Sequence, residues 1–368
     1  MQILMRFLIL LIFSSIIAKS QDIDTLLPHI LALDNDTEKV NQLYKKGFSI
    51  RNSDPQLSFR FAKYCEQSAL KTNSKKHLAK SYNLLGVLFY KKGDFKKAIS
   101  YHKKALQLRT ECNDVLGIAF SHTNLGNIYT DIKLFPQAEE SYLQAMEAYN
   151  ILSKKEQTAN TLMNLGILKF SQKQYDAAIE NYLMALKIAS QINDYEIKVN
   201  CMQNIAQAYG VKGDFERDLG YNEDVLKLRA LMENERDIAS SYLNLAVLYM
   251  YEPSVDLPKA KHYIDTANYI GNKFEDFDIK KICYKSYALY YNEVKDFEKA
   301  FKYFQKFDHL KDSLLLFQNV NSTIYDFDEW QETLISQGEQ KALNNSSLLF
   351  VIFILAIFIP FILFRFKR

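Results

Sequence analysis

Glycine and proline are scarce, at 11 and 6 residues in a chain of 368. Both break helix interiors, so their scarcity leans the chain toward helix. Alternating apolar runs, the mark of half-buried strands, are also missing. There are four cysteines, Cys65, Cys112, Cys201 and Cys283, far apart and without a CxxC or other metal-ligand spacing. Cys65, Cys201 and Cys283 fall at apolar helical positions, which predicts buried free thiols rather than disulfides.

A strong charge of either sign is missing too. The chain holds 46 basic and 43 acidic residues, a net of +3. Five of the bases, Arg6, Lys19, Arg365, Lys367 and Arg368, lie in terminal segments that contain no acid. Without them the body has 41 basic against 43 acidic residues, so it lacks the basic excess that a nucleic-acid binder needs.

Long apolar runs occur only at the two ends. Arg6 followed by Phe7 to Ile17 has the form of a secretory signal, with Ala18-Lys19-Ser20 as the cleavage site. Leu348 to Phe364 gives roughly 17 apolar residues, the lower limit for a membrane-spanning helix. The bases after it fit the positive-inside rule, placing the C-terminus in the cytoplasm.

Between the ends, the chain repeats itself every forty residues. NLLGVLFYKKGDFKKAISYHKKAL (83–106) aligns with NLGNIYTDIKLFPQAEESYLQAM (124–146), NLGILKFSQKQYDAAIENYLMAL (164–186) and NIAQAYGVKGDFERDLGYNEDVL (204–226). Another copy begins at Asn244, a further one covers 287–307, and a degraded copy ends at 54–70. Small residues carry the register: Gly86, Gly126, Gly166, Ala206, Ala246 and Ala288 early in each unit, and Ala98, Ala138, Ala178, Ala260 and Ala300 late. Apolar positions follow a 3.6-residue period in two segments per unit, with Gly93-Asp94-Phe95 or Gly213-Asp214-Phe215 as the turn. Two closely approaching helices need small residues at their contact, because larger ones overpack it. Asp218 breaks this rule in the fifth unit, and two extra residues fall within Glu252 to Leu257.

The order large residue, Leu-Gly, aromatic, then Ala, aromatic, Ala resembles the tetratricopeptide repeat, whose usual unit is about 34 residues. The resemblance implies an all-α fold, an α-solenoid of tetratricopeptide helix hairpins wound as a right-handed superhelix. A C-terminal juxtamembrane helix and a single transmembrane helix are expected to follow. The organisation reads as a signal peptide (1–20), an N-terminal cap (21–37), seven repeats (38–310), a capping or stalk helix (311–346), the transmembrane helix (347–364) and a cytoplasmic tail (365–368).

Catalytic motifs are not found. The six histidines stand apart from any HExxH pair, and GxGxxG, GxxxxGK[ST] and GxSxG are absent. His102 and His122 occupy aromatic positions of their repeats, as packing residues without an activating partner. The sequence therefore predicts a protein that is not an enzyme, without cofactor or metal. Resemblance to the repeat family further implies that the first helix of each unit lines a concave groove. The groove residues then include Asn83, Tyr90, Phe120, Thr123, Asn127, Asn160, Met163, Phe170, Gln203 and Gln207. This set is amide-rich and apolar, suited to a protein or peptide partner held as an extended backbone, and it lacks the Lys/Asn clamp for a C-terminal carboxylate. A parallel ladder, Asn124, Asn164, Asn204 and Asn244, suits hydrogen bonding between adjacent hairpins.

After the repeats, Phe317, Val320, Ile324 and Phe327 suggest a helix that caps the last repeat or dimerises as a stalk. The whole layout resembles the extracytoplasmic sensory half of bacterial membrane-anchored histidine kinases and helix-turn-helix regulators, without their output domain. These features predict a scaffold anchored in the inner membrane by one pass, with its repeats extracytoplasmic (periplasmic). A sensor subunit acting through a separate kinase or regulator is the alternative.

Overall fold

The computed structural model describes residues 27–251 and 255–315. Among them the regular elements are helices, and no strand occurs. After a short helical turn at 27–31 come α1 (Asp36–Ile50), α2 (Pro55–Lys71), α3 (Lys75–Lys91), α4 (Phe95–Glu111), α5 (Val115–Asp131), α6 (Phe135–Ile151), α7 (Lys155–Ser171), α8 (Tyr175–Gln191), α9 (Tyr195–Lys212) and α10 (Phe215–Leu231). Then follow α11 (Glu235–Leu248), α12 (Leu257–Lys273), α13 (Phe277–Glu293) and α14, described over 297–315.

The chain divides at Asn234 and Glu235 into two compact units. In the first, consecutive helices pair as hairpins, α1 with α2 through α9 with α10, and each second helix packs on the first helix of the next hairpin. First helices of successive hairpins also touch: α1 with α3, α3 with α5, α5 with α7 and α7 with α9. That stacking makes the first helices one continuous wall of the unit. In the second unit α11 packs on α12 and α13, and Tyr303 of α14 joins the apolar cluster around Ile264, Cys283 and Tyr287.

The turns explain the pitch. A left-handed residue recurs every twenty positions at Asn73, Gly93, Asn113, Lys133, Ser153, Lys173, Asn193, Gly213 and Glu233. From Gly93 to Gly213 each closes its helix with a bond from the following amide back to the last turn, as Asp94 N donates to Phe89 O and Asp214 N to Tyr209 O. The residue after it caps the next helix where it can: Asp94, Asp114, Asp194 and Asp214 accept from backbone N–H groups of the first turn. Leu134, Lys154 and Gln174 stand at the same place without a side-chain cap. After α11, Asp256 N reaches Tyr249 O, across two more positions than Asp214 N to Tyr209 O.

Small residues meet large ones across each hairpin. A Cβ built on Gly126 would lie 2.6 Å from the Tyr142 ring, one on Gly166 2.3 Å from Tyr182, and one on Gly86 2.7 Å from His102. Where this position holds alanine, the facing residue is not aromatic: Ala206 aligns with Asn222 of α10, and Ala246 with Ile264 of α12, all buried. Ala98, Ala138, Ala178 and Ala260 are fully buried in the second helices. Asp218, which stands between Ala178 and Ala260 in that series, is buried as well, and Gly210 opposite it supplies the room. Cys65, Cys201 and Cys283 are buried free thiols, and Cys112 is exposed.

One expectation is overturned. Among the described residues no helix is long and apolar enough to cross a membrane, which removes the support for a single-pass inner-membrane protein with periplasmic repeats. The reason is amphipathicity: even α5, the most apolar helix, carries His122, Asn124, Asn127 and Asp131, and its apolar face is spent on neighbouring helices. The segments assigned as signal peptide (1–20) and transmembrane helix (347–364), the tail (365–368) and the stalk beyond residue 315 all lie outside the described residues.

Candidate functional site

The first-helix wall of unit 1 is the surface that carries the sequence-selected groove residues. Helical spacing puts positions six, nine and thirteen of each first helix on one stripe. On α5 these are Phe120, Thr123 and Asn127; on α7, Asn160, Met163 and Ile167; on α9, Asn200, Gln203 and Gln207. Phe120 and Ile167 are each 40% exposed, Asn200 and Gln207 are exposed, and the other five are half-buried. None of the nine ionises; Glu156 and Glu196 are exposed near the helix N-termini, and Arg229 of α10 reaches Gln203.

Several of the selected residues are engaged within the wall. Asn83 is only 5% exposed, and its Oδ1 accepts from Asn124 Nδ2 of the next hairpin at 3.0 Å. Asn127 Oδ1 accepts twice, from the Tyr142 hydroxyl at 2.7 Å and from Asn164 Nδ2 at 3.2 Å. Asn124 and Asn164 thus bridge adjacent hairpins as the ladder predicts. Thr123 Oγ1 donates to Ala119 O and lies 3.2 Å from the Tyr149 hydroxyl, and Tyr149 packs edge-on to Phe120. Tyr90 donates to Asp131 of α5 at 2.6 Å, and burial, then this carboxylate, hold its phenol well above the usual range. Phe170 meets Tyr175 edge-on, and Met163 packs against the clusters around Ala185 and Tyr182. Gln203 Oε1 accepts from Arg229 at 3.3 Å, leaving Asn160 and Gln207 as the selected amides with the freest side chains.

Three buried polar features were not identified as sites from sequence. Arg109 is 5% exposed and donates through Nη1 to Gly117 O and to Ser121 Oγ, and burial lowers its pKa. Its place in α4 corresponds to Tyr149 in α6, so only the repeat alignment signals it. His102 lies against Gly86 with Nδ1 unpaired, and burial, then the Arg109 charge, push its pKa down to about 3. Asp218 accepts from Asn222 Nδ2 at 2.7 Å, yet burial raises its carboxyl to about 6. These groups are dispersed through hairpin contacts and do not converge on a shared space. Among the described residues, no group of three or more His, Cys, Asp or Glu side chains could hold a metal ion.

Residues 75–151 and 157–230 match the sequence profile of the tetratricopeptide repeat. No curated protein matches the chain by sequence. Among solved structures, aspartyl phosphate phosphatase F from Bacillus subtilis is similar at 17% identity, over 75% of this chain and 71% of its own, with a TM-score of 0.55. A Rap protein complexed with competence and sporulation factor is similar at 16% identity, over 78% and 79% of the two chains, with a TM-score of 0.54. The third is a signal transduction ATPase with a tetratricopeptide repeat sensor from Pyrococcus horikoshii, at 16% identity over 83% of this chain and 50% of that one, with a TM-score of 0.56. The helix hairpins described above are thus a repeat solenoid of the tetratricopeptide type.

Proposed function

We propose that the protein is a non-enzymatic binding scaffold whose first-helix wall in unit 1 holds a protein or peptide partner. The observation that carries this reading is the stripe from Phe120 to Gln207, where apolar and amide side chains stay accessible on stacked helices. Apolar contacts supply affinity, and amides satisfy the polar backbone of whatever is buried against them. The dispersal of His102, Arg109 and Asp218 through hairpin contacts favours binding over catalysis, because acid–base chemistry needs such groups within reach of one substrate. The similar Rap protein is complexed with competence and sporulation factor, so a fold of this kind holds a partner there, which supports the reading.

Site-specific photocrosslinking tests this. A benzoylphenylalanine placed at Phe120 or Gln207 is expected to trap a defined partner, and one placed at the exposed Leu183 on the second helix α8 is not. Equal trapping from both faces, or none from the inner one, would remove the wall as the binding surface.

A further inference from the structure

Positive charge is concentrated in one hairpin of the first unit. Of the 41 bases and 43 acids between the terminal segments, ten bases but only two acids, Asp94 and Glu111, fall within 75–111, which leaves 31 against 41 elsewhere. Lys91, Lys92, Lys96, Lys97, Lys103 and Lys104 are all exposed. Helical spacing puts the last four on one face of α4, as two pairs about 10 Å apart along the axis. Both acids are already engaged: Asp94 caps α4 and pairs with Lys97 at 3.3 Å, and Glu111 pairs with Lys75 at 3.0 Å. Lys91, Lys96 and Lys103 have no carboxylate partner among the described residues. Folding does not require lysine here, because the equivalent places hold Leu143 and Gln144 in α6, Asp176 and Met184 in α8, and Glu216 and Asp224 in α10. The mutual repulsion of the cluster therefore goes unrelieved within the chain.

From this cluster we infer that the exposed face of α4, with Lys91 and Lys92 at its approach, docks an acidic segment of a partner protein, separately from the first-helix wall. Other anions fit the surroundings less well. A single nucleic-acid strand needs open aromatic rings to stack on. The rings beside the cluster, Tyr82, Phe89 and Tyr101, are buried or half-buried, and they lie under Lys97 and Lys104, whose Nζ atoms stand 5.0 to 5.6 Å from the ring centroids. A membrane surface calls for apolar side chains next to the lysines, and α4 exposes no large one. The excess of acid over the rest of the body also repels a long polyanion, whereas a short acidic run meets the lysines alone. About three extended residues or seven helical ones cover the distance between the two lysine pairs, so a short run of Asp or Glu reaches both.

The test is fluorescence anisotropy on the full chain with a labelled twelve-residue peptide of alternating Asp and Ser. Binding is expected at low salt, and raising the salt to about 300 mM should weaken it about tenfold. Lys96→Glu with Lys103→Glu should also weaken it about tenfold. Lys155→Glu with Lys187→Glu makes the same change of charge at exposed sites elsewhere and should weaken it about twofold at most. All four lysines are exposed, so both variants keep the parent's fold. Equal losses from the two variants, or no binding of the peptide, would overturn the assignment. Tighter binding of a twelve-nucleotide DNA strand, or of vesicles containing phosphatidylserine, that Lys96→Glu with Lys103→Glu abolishes would overturn it as well, since the face would then serve a different anion. The first-helix wall is read by its own crosslinks, so the two surfaces stand or fall separately.

Discussion

Replacing Gly166 with alanine tests the packing rule that organises every hairpin. The new Cβ would lie 2.3 Å from Tyr182 Cε1 and 2.5 Å from Cδ1. Tyr182 is 2% exposed, so its ring has nowhere to move without displacing a neighbour. Overpacking of this kind costs about 1–3 kcal/mol. A contact this short takes the upper part of that range, about 2–3 kcal/mol, and alanine recovers about 1 kcal/mol of helix propensity, leaving a net loss of about 1–2 kcal/mol, or about 2–8 °C in melting temperature for a unit of this size. The chain supplies the compensation itself, since alanine in this place faces Asn222 or Ile264 elsewhere. In a Tyr182→Ile background, Gly166→Ala should therefore be neutral or stabilising, giving a coupling of about 2 kcal/mol in a double-mutant cycle. Gly220→Ala is the control: nothing lies within 4 Å of its built Cβ, and it should stabilise by about 1 kcal/mol. Thermal melts followed by circular dichroism read all four variants. A Gly166→Ala protein as stable as the parent, or an equal loss in both backgrounds, would refute the account.

Three further outcomes follow from the caps and the buried groups. Lys154→Asp should give α7 the side-chain cap it lacks and raise stability by about 1 kcal/mol in denaturant unfolding. Asp218 has a folded pKa of about 6, above its unfolded value of 3.8, so its contribution is fully present below pH 4 and is lost as pH rises through 6. Asp218→Asn should remove this loss, gaining at most about 3 kcal/mol over the parent at pH 7 and little at pH 4, as read by melts across that range. His102 runs the other way: its folded pKa of about 3 lies below the unfolded 6.5, so stability present above pH 6.5 is lost as pH falls toward 3. A His102→Phe protein should hold its melting temperature better than the parent from pH 6 down to 4, and equal slopes for the two would exclude the buried imidazole as the cause.

The hairpins were legible in the sequence because one spacing is written many times. Gly86, Gly126 and Gly166 mark the first helix, Ala98, Ala138 and Ala178 the second, and the turn residues fall between them. Pairings across the hairpin were less visible. Asp218 alone looks like a packing fault, and only its position opposite Gly210 shows the exchange of volume that admits it. For the first-helix wall, sequence register did not show to which partners the amides are committed. Asn83 and Asn127 spend their oxygens on Asn124 and Asn164, in each case on the next first helix. Arg109 escaped notice because a lone arginine in an amphipathic helix reads as solvent-facing until its acceptors, Gly117 and Ser121, are brought over it. The membrane assignment rested on the apolar content of the terminal segments, and the described helices give it no support.

The connection that joins two hairpins has the same form as the one within a hairpin, a single left-handed residue followed by a cap position. Because neither junction is special, a whole unit can be cut out at equivalent points. Excising 155–194 would run Lys154 directly into Tyr195 and bring Asn204 into the place Asn164 holds against Asn127. The first unit is thus modular, and its first-helix wall shortens or lengthens in steps of one forty-residue cassette.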